Sequence, residues 1–213
     1  MQKKQLETAA SFVSDRLKYE PTGHDAAHID RVRQLARQIA NQEGGSLFVI
    51  EMAAIVHDVI DEKLPGEWKL SPKRLELQLL SWEVHTRDIR YIMDIITTMS
   101  FRHRHKQNRP ITLEGAIVQD ADRLDAIGAT GIARVFTYAG AKGEPHYSKD
   151  TQQGSVLKHM EEKLLKLKDL MNTRTGKLLA EERHDLMSLF IKTWKEECGL
   201  TDELGLYVCK EDV

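Results

Sequence analysis

The chain has little of what staples or stiffens a small fold. Of its 213 residues, two are cysteine and five are proline. Cys198 and Cys209 lie near the C-terminal end and form no C-x-x-C pair. A disulfide framework is therefore not expected, and a reducing, cytoplasmic compartment is. Long apolar runs are absent as well. The longest unbroken one, Met52 to Val56, falls far short of the ~20 residues that cross a bilayer. The polar start Met1-Gln2-Lys3-Lys4-Gln5 leads into no signal-peptide core. Charge of one sign is scarce too. The net charge of -2 gives no long-range pull toward nucleic acid or an anionic membrane, so neither is expected as a partner.

What is present is an ordinary globular balance, 41% hydrophobic and 30% charged. A chain of this size buries roughly 70% of the surface it exposes when unfolded. Apolar residues recur at helical spacing, and period-2 alternation is rare. Helices are predicted at residues 5–17, 25–41, 47–60, about 72–82, 87–99, 113–139, 155–170 and 177–198. Pro21, Thr22 and Gly23 break the first from the second, and Gly44 with Gly45 ends the second. Ser46, Ser71 before Pro72, and Thr112 stand where N-caps are needed. Residues 101–110 form a basic loop. Residues 140–154 read as a flexible polar insert, either mobile or a lid. The expectation is one all-α domain over 1–213, with a core at about 20–140, the insert, and C-terminal helices at 155–198.

Chemistry concentrates at His57-Asp58, just beyond the apolar segment from Phe48 to Val56. Burying such groups without partners costs about 2–7 kcal/mol for a neutral polar group and more for a charge. A divalent cation removes that cost, because it takes imidazole nitrogen and carboxylate oxygen together. His28 heads the apolar stripe of Val32, Leu35 and Ile39, where a core histidine bonded to a carbonyl is the ordinary alternative. Asp120, Asp122 and Asp125 lie beside Ile117, Val118, Ala121 and Leu124. Asp125 is nearest the middle of that apolar face and Asp122 is at its edge, but spacing alone does not choose among the three. Asp61 is i+4 from His57 and i+3 from Asp58, so a continuing helix would put all three on one side. The alternative is that Asp61-Glu62-Lys63 is a polar helix exit.

His28-Ile29-Asp30-Arg31-Val32, then His57-Asp58, then Asp120-Ala121-Asp122-Arg123-Leu124-Asp125-Ala126-Ile127-Gly128 resemble the H…HD…D signature of the HD superfamily. The likeness is strongest over residues 20–140. The last third is similar to bacterial HD-domain nucleotide pyrophosphohydrolases. The resemblance implies an all-α HD-domain bundle of about eight helices. It also implies that His28, His57, Asp58 and Asp122 are the metal ligands, and that Asp120 and Asp125 are not. Two imidazoles and two carboxylates leave open positions on one divalent ion, Mn²⁺ for preference, with Fe, Co, Ni or Zn also compatible. Asp61 and Glu62 resemble the acidic pair that follows HD in (p)ppGpp hydrolases and 5'-nucleotidases, where it would handle the attacking water. Lys63, Arg123, His24 and Tyr147 are the candidates for contacts with a nucleotide substrate, with Lys149 beside Tyr147. Arg31 is expected to brace its helix against an acid.

The activity implied is hydrolysis of (d)NTP to (d)NMP and pyrophosphate. Nucleoside 5'-monophosphate phosphatase and (p)ppGpp hydrolase are the alternatives in the same class. A binuclear oxygenase would need further histidines between HD and the last Asp, and His85, His103 and His105 lie in that interval. A non-enzymatic helical module, or a nucleic-acid adaptor using Arg102 to Lys106, would not need the four ligands. A homodimer is expected by analogy with cytosolic enzymes.

Overall fold

The computed structural model describes residues 1–18, 25–61, 64, 68–99, 112–148 and 153–200. All regular structure among them is helical. In order, the α-helices are α1 (Gln2–Leu17), α2 (Ala26–Glu43), α3 (Leu47–Val56), α4 (Pro72–Ser81), α5 (Thr86–Thr98), α6 (Leu113–Asp125), α7 (Gly128–Lys142), α8 (Val156–His159) and α9 (Arg174–Glu197). No helix among the described residues is long and apolar enough to cross a membrane.

The core is built around α3, in which every residue from Phe48 to Val56 is buried. A helix that is apolar all round must be enclosed on every side, and α1, α2, α5 and α6 pack against this one. Glu51 is the exception in that segment. Its carboxylate is buried, and it accepts from Arg33 Nε at 2.8 Å while Arg37 Nε lies 3.5 Å away. This pairing fastens α2 to α3. Asp25 caps α2 by accepting from the His28 amide at 2.8 Å, and Gly44 leaves the helix at φ +88°.

Three predicted helices are interrupted. The helix expected at 47–60 stops at Val56 and tightens into a 3₁₀ turn, Asp58–Ile60. The one expected at 113–139 is two helices. Ile127 is extended and Gly128 stands at φ +73°, a left-handed conformation that glycine adopts without strain. A Cβ at Gly128 would stand 3.0 Å from Arg183 Cβ, and one at Gly131 would stand 2.3 Å from the Ala126 carbonyl oxygen. These two glycines let α7 fold back closely against the end of α6. The helix expected at 155–170 is a short α8, a π turn (Met160–Leu164) and a 3₁₀ segment (Leu165–Leu170).

The insert is less independent than its composition suggests. Residues 140–142 extend α7, and Gly143 caps it at φ +66°. The Pro145 and His146 carbonyls accept from the Val156 and Leu157 amides at 3.1 and 2.9 Å. The His146 ring also packs edge-on to Phe136 at 5.1 Å. Both ends of the insert are thus tied down.

Candidate metal centre

The end of α3, the first turn of α2 and the last turn of α6 meet at one buried point. His57 lies there because α3 ends on it, and its Nδ1 is 2.8 Å from the Ala54 carbonyl oxygen. A carbonyl only accepts, so a neutral ring donates from Nδ1 and keeps its lone pair on Nε2. The His28 ring is wholly buried, with Nδ1 2.7 Å from Asp125 Oδ2. The same reasoning leaves a lone pair on its Nε2. The two rings stand edge to face, with centroids 5.4 Å apart.

Asp58 bridges the two imidazoles. Its Oδ2 is 3.2 Å from His28 Nε2, and its Oδ1 is 3.3 Å from His57 Nε2. Asp122 Oδ1 lies 3.6 Å from His28 Nε2 and 3.7 Å from His57 Nε2, and the Asp122 side chain is 41% exposed. The Nε2 atom of His57 is buried and makes no hydrogen bond. Among the described residues, one donor atom from each of His28, His57 and Asp58 fits within 4.8 Å of the others. Two imidazole nitrogens and carboxylate oxygens aimed at one point fit a divalent cation once the rings are neutral. Asp122, at the edge of its apolar face, gives the cluster an opening to solvent.

The same carboxylates also set the protonation of the rings. Burial pulls His57 toward the neutral form, but Asp58 and Asp122 beside it win and push its pKa up to about 9. His28 is also raised, because Asp125 and Asp58 outweigh its desolvation. Asp122 is held well below the usual carboxylate range. Desolvation pushes it up, and the His57 and His28 rings outweigh that. In the metal-free chain, protons hold this cluster together. The His57 contribution to stability is complete below its unfolded pKa near 6.5 and is lost as pH rises through about 9. A cation needs the neutral ring, so binding must expel the proton. Affinity for a divalent cation is expected to rise with pH up to about 9, by about tenfold per pH unit for each proton displaced. Calorimetry in two buffers of different ionisation enthalpy measures this. Binding heats that do not depend on the buffer would contradict it.

The other two acids of α6 have different partners. Asp125 is 1% exposed. It accepts from His28, from Arg31 Nε at 2.7 Å and from Arg134 Nη1 at 2.9 Å. Burial pushes it up, but His28 and Arg31 hold it at about 2. This is the outer carboxylate that fixes a ligating histidine, and Arg31 is the brace the sequence suggests. Asp120 faces away and holds Asn172 and Thr173.

The Arg123 side chain is 9% exposed, bonds to the Leu170 carbonyl and lies 3.9 Å from Asp120, so in this structure it braces the C-terminal segment. Asp61 lies just past the 3₁₀ turn. Its backbone is extended at φ -65°, ψ 139°, and its amide donates to the Asp58 carbonyl at 2.9 Å. No continuing helix aligns it with His57 and Asp58; it stands half-buried one short turn past them. Tyr147 is 40% exposed on the anchored part of the insert. His24, Glu62, Lys63, Lys149, His103 and His105 lie outside the described residues. His85 caps α5, its Nδ1 accepting from the Arg87 amide at 3.2 Å. Arg134 was not singled out from the sequence. It reaches Asp125 only through the fold-back at Gly128, and the glycines of Ala126-Ile127-Gly128-Ala129-Thr130-Gly131 were the one local sign of it.

Comparison with known proteins gives the family. A family model described as HD domain matches residues 25–127, which span α2 to α6 and all four clustered side chains. The uncharacterized protein YpgQ of Bacillus subtilis (strain 168) is 46% identical over 195 residues, covering 91% of this chain and 94% of its own. The crystal structure of Bacillus subtilis YpgQ in complex with ADP superposes with a TM-score of 0.82 at 44% identity, over 92% of this chain and 96% of that one. An HD-superfamily hydrolase from Bacillus thuringiensis gives a TM-score of 0.74 at 41% identity, over 92% and 98% of the two chains. Likeness of this extent places the chain in the HD-domain family with the fold of the HD-superfamily hydrolases.

Proposed function

We propose that the chain hydrolyses a nucleotide phosphoanhydride in a metal-dependent reaction, converting (d)NTP to (d)NMP and pyrophosphate. The observation that carries the reading is the convergence of both Nε2 atoms on Asp58 and Asp122 at 3.2 to 3.7 Å, buried on one side and open at Asp122. His28, His57, Asp58 and Asp122 would hold one divalent ion, and a donor set without sulfur suits Mn²⁺. Such an ion supplies a Lewis acid for a phosphoryl oxygen and a bound water of lowered pKa. A nucleotide as substrate is supported by ADP in the YpgQ crystal.

The chain's own part is to receive and move a proton. Water oxygen bonds to the α-phosphorus, the bond from that phosphorus to the bridging oxygen breaks, and pyrophosphate leaves with that oxygen. Asp61, half-buried at the exit of the 3₁₀ turn, accepts the water's proton with Glu62 beside it. Lys63 would offset charge on the departing pyrophosphate, with His24 and Tyr147 as the further substrate contacts that the resemblance offers. Arg123, which the resemblance also offers for that charge, is turned to the Leu170 carbonyl in this structure.

A panel of nucleoside tri-, di- and monophosphates and (p)ppGpp with Mn²⁺ tests this, with phosphate and pyrophosphate measured separately. Monophosphate plus pyrophosphate from a triphosphate is the expected result, with one ion per chain. Inorganic phosphate released from a monophosphate would replace this reading with a phosphatase. Two irons per chain would replace it with a binuclear oxygenase.

A further inference from the structure

Asp125 Oδ2 is an unusually crowded oxygen. It accepts from His28 Nδ1 at 2.7 Å, from Arg31 Nη2 at 3.1 Å and from Arg134 Nη1 at 2.9 Å. The two arginines are not equivalent. Arg31 sits one turn beyond His28 on the same helix, so it fixes the carboxylate only relative to α2. Arg134 comes from α7. It reaches the site because Gly128 turns the chain left-handed and Gly131, without a Cβ, lies close to the Ala126 carbonyl. Its side chain is 18% exposed against 1% for Asp125, so the ion pair is sheltered from solvent. A carboxylate torsion is soft, and Arg134 adds a donor from a third helix to those that His28 and Arg31 supply from α2.

We propose that Arg134 is a positioning residue for the metal centre. It acts through Asp125 to hold the His28 ring so that Nε2 faces Asp58 and Asp122. This rests on the reading of that centre as a cation site. The arginine never touches the ion or the substrate. Its effect passes along one path: α7, Asp125 Oδ2, His28 Nδ1, His28 Nε2. Changes to such outer partners typically weaken metal affinity by about 10- to 100-fold. Arg134 is one partner further out than Asp125, so the low end applies.

The test is Mn²⁺ binding by calorimetry on the full chain, with no nucleotide present. Arg134→Met is expected to bind about tenfold more weakly. Arg134→Lys is expected to recover most of that, because the contact runs through one nitrogen that an ammonium can replace; it also stands in if the Met variant fails to fold. Once Asp125→Ala has removed the path, adding Arg134→Met should cost no more than about twofold further. Arg183→Met is the control. Arg183 Nη1 donates to the Leu124 carbonyl at 2.5 Å and packs against Gly128; toward Asp125 it has a charge interaction and no hydrogen bond. It should lower the melting temperature and leave Mn²⁺ affinity within about twofold, as expected for a charge that is not hydrogen-bonded to the carboxylate. Unchanged affinity in Arg134→Met, an equal loss in Arg183→Met, or additive losses in the double variant would each overturn the inference. A wild-type chain that binds no Mn²⁺ would overturn the cation reading and this inference with it.

Discussion

Replacing Asp58 with alanine is expected to lower hydrolysis by roughly 10³-fold or more and to remove measurable Mn²⁺ binding, with helical circular dichroism retained. The size of the effect comes from where the carboxylate sits. Its two oxygens face the two imidazoles separately, Oδ2 toward His28 and Oδ1 toward His57, so one change takes the bridge out of the centre. A cation at a phosphoryl oxygen contributes several kcal/mol of transition-state stabilisation, and each 1.36 kcal/mol is about tenfold in rate. The fold should tolerate the change. Both rings keep their Nδ1 partners, Ala54 and Asp125, and the 3₁₀ turn is closed by the backbone carbonyl at position 58. The loss of stability should stay within about 0.5–3 kcal/mol, the range of ordinary point changes. Thermal melts beside metal titration and activity separate the two effects. Activity that survives in this variant, or in wild type with excess chelator, would remove metal-dependent hydrolysis as the function.

The parts of this site that could be read from sequence are those written into short, continuous patterns. The apolar segment from Phe48 to Val56 is buried residue by residue, so a polar pair directly after it had to be partly enclosed. His28 heads a stripe whose members Val32 and Ile39 are fully buried. What could not be read depends on single backbone torsions or on distant neighbours. Helical periodicity runs unbroken across Asp125 and Ala129, because a pattern of side chains does not register one left-handed residue at Gly128. The alignment of Asp61 with His57 failed for the same kind of reason, since the last turn of α3 changes from α to 3₁₀ geometry. Arg123 follows a clustered acid in sequence but lies about 100° further round the helix, which takes its guanidinium to Leu170.

The three acids of Asp120-Ala121-Asp122-Arg123-Leu124-Asp125 separate by the same geometry, and this yields the largest expected change in stability. Asp120→Ala should destabilise the chain by about 3–5 kcal/mol, the cost of breaking a buried charged network, out of a total of roughly 5–15. The carboxylate is wholly buried. It accepts from the Asn172 amide at 2.9 Å, Asn172 Nδ2 at 2.8 Å, and the Thr173 amide and hydroxyl at 2.8 Å each. Thr173 is the N-cap of α9, so this acid neutralises the positive end of that helix and satisfies donors that begin it. A Cβ at Gly176 would stand 2.5 Å from Asp120 Oδ2, so the first turn of α9 is shaped around the carboxylate. Removing it strands several buried donors, each costing about 1–3 kcal/mol before water enters. Asp122 lies two residues on and about 200° round the helix, so Mn²⁺ affinity in native-state titrations should change little. Urea unfolding of the metal-free chain should show a lower midpoint with an unchanged slope, the reverse of the Asp58→Ala pattern of lost binding with stability largely kept. A midpoint shift equivalent to under about 1 kcal/mol, no more than one ordinary hydrogen bond contributes, would mean that α9 is held by its apolar face alone. Asp120 would then be a bystander.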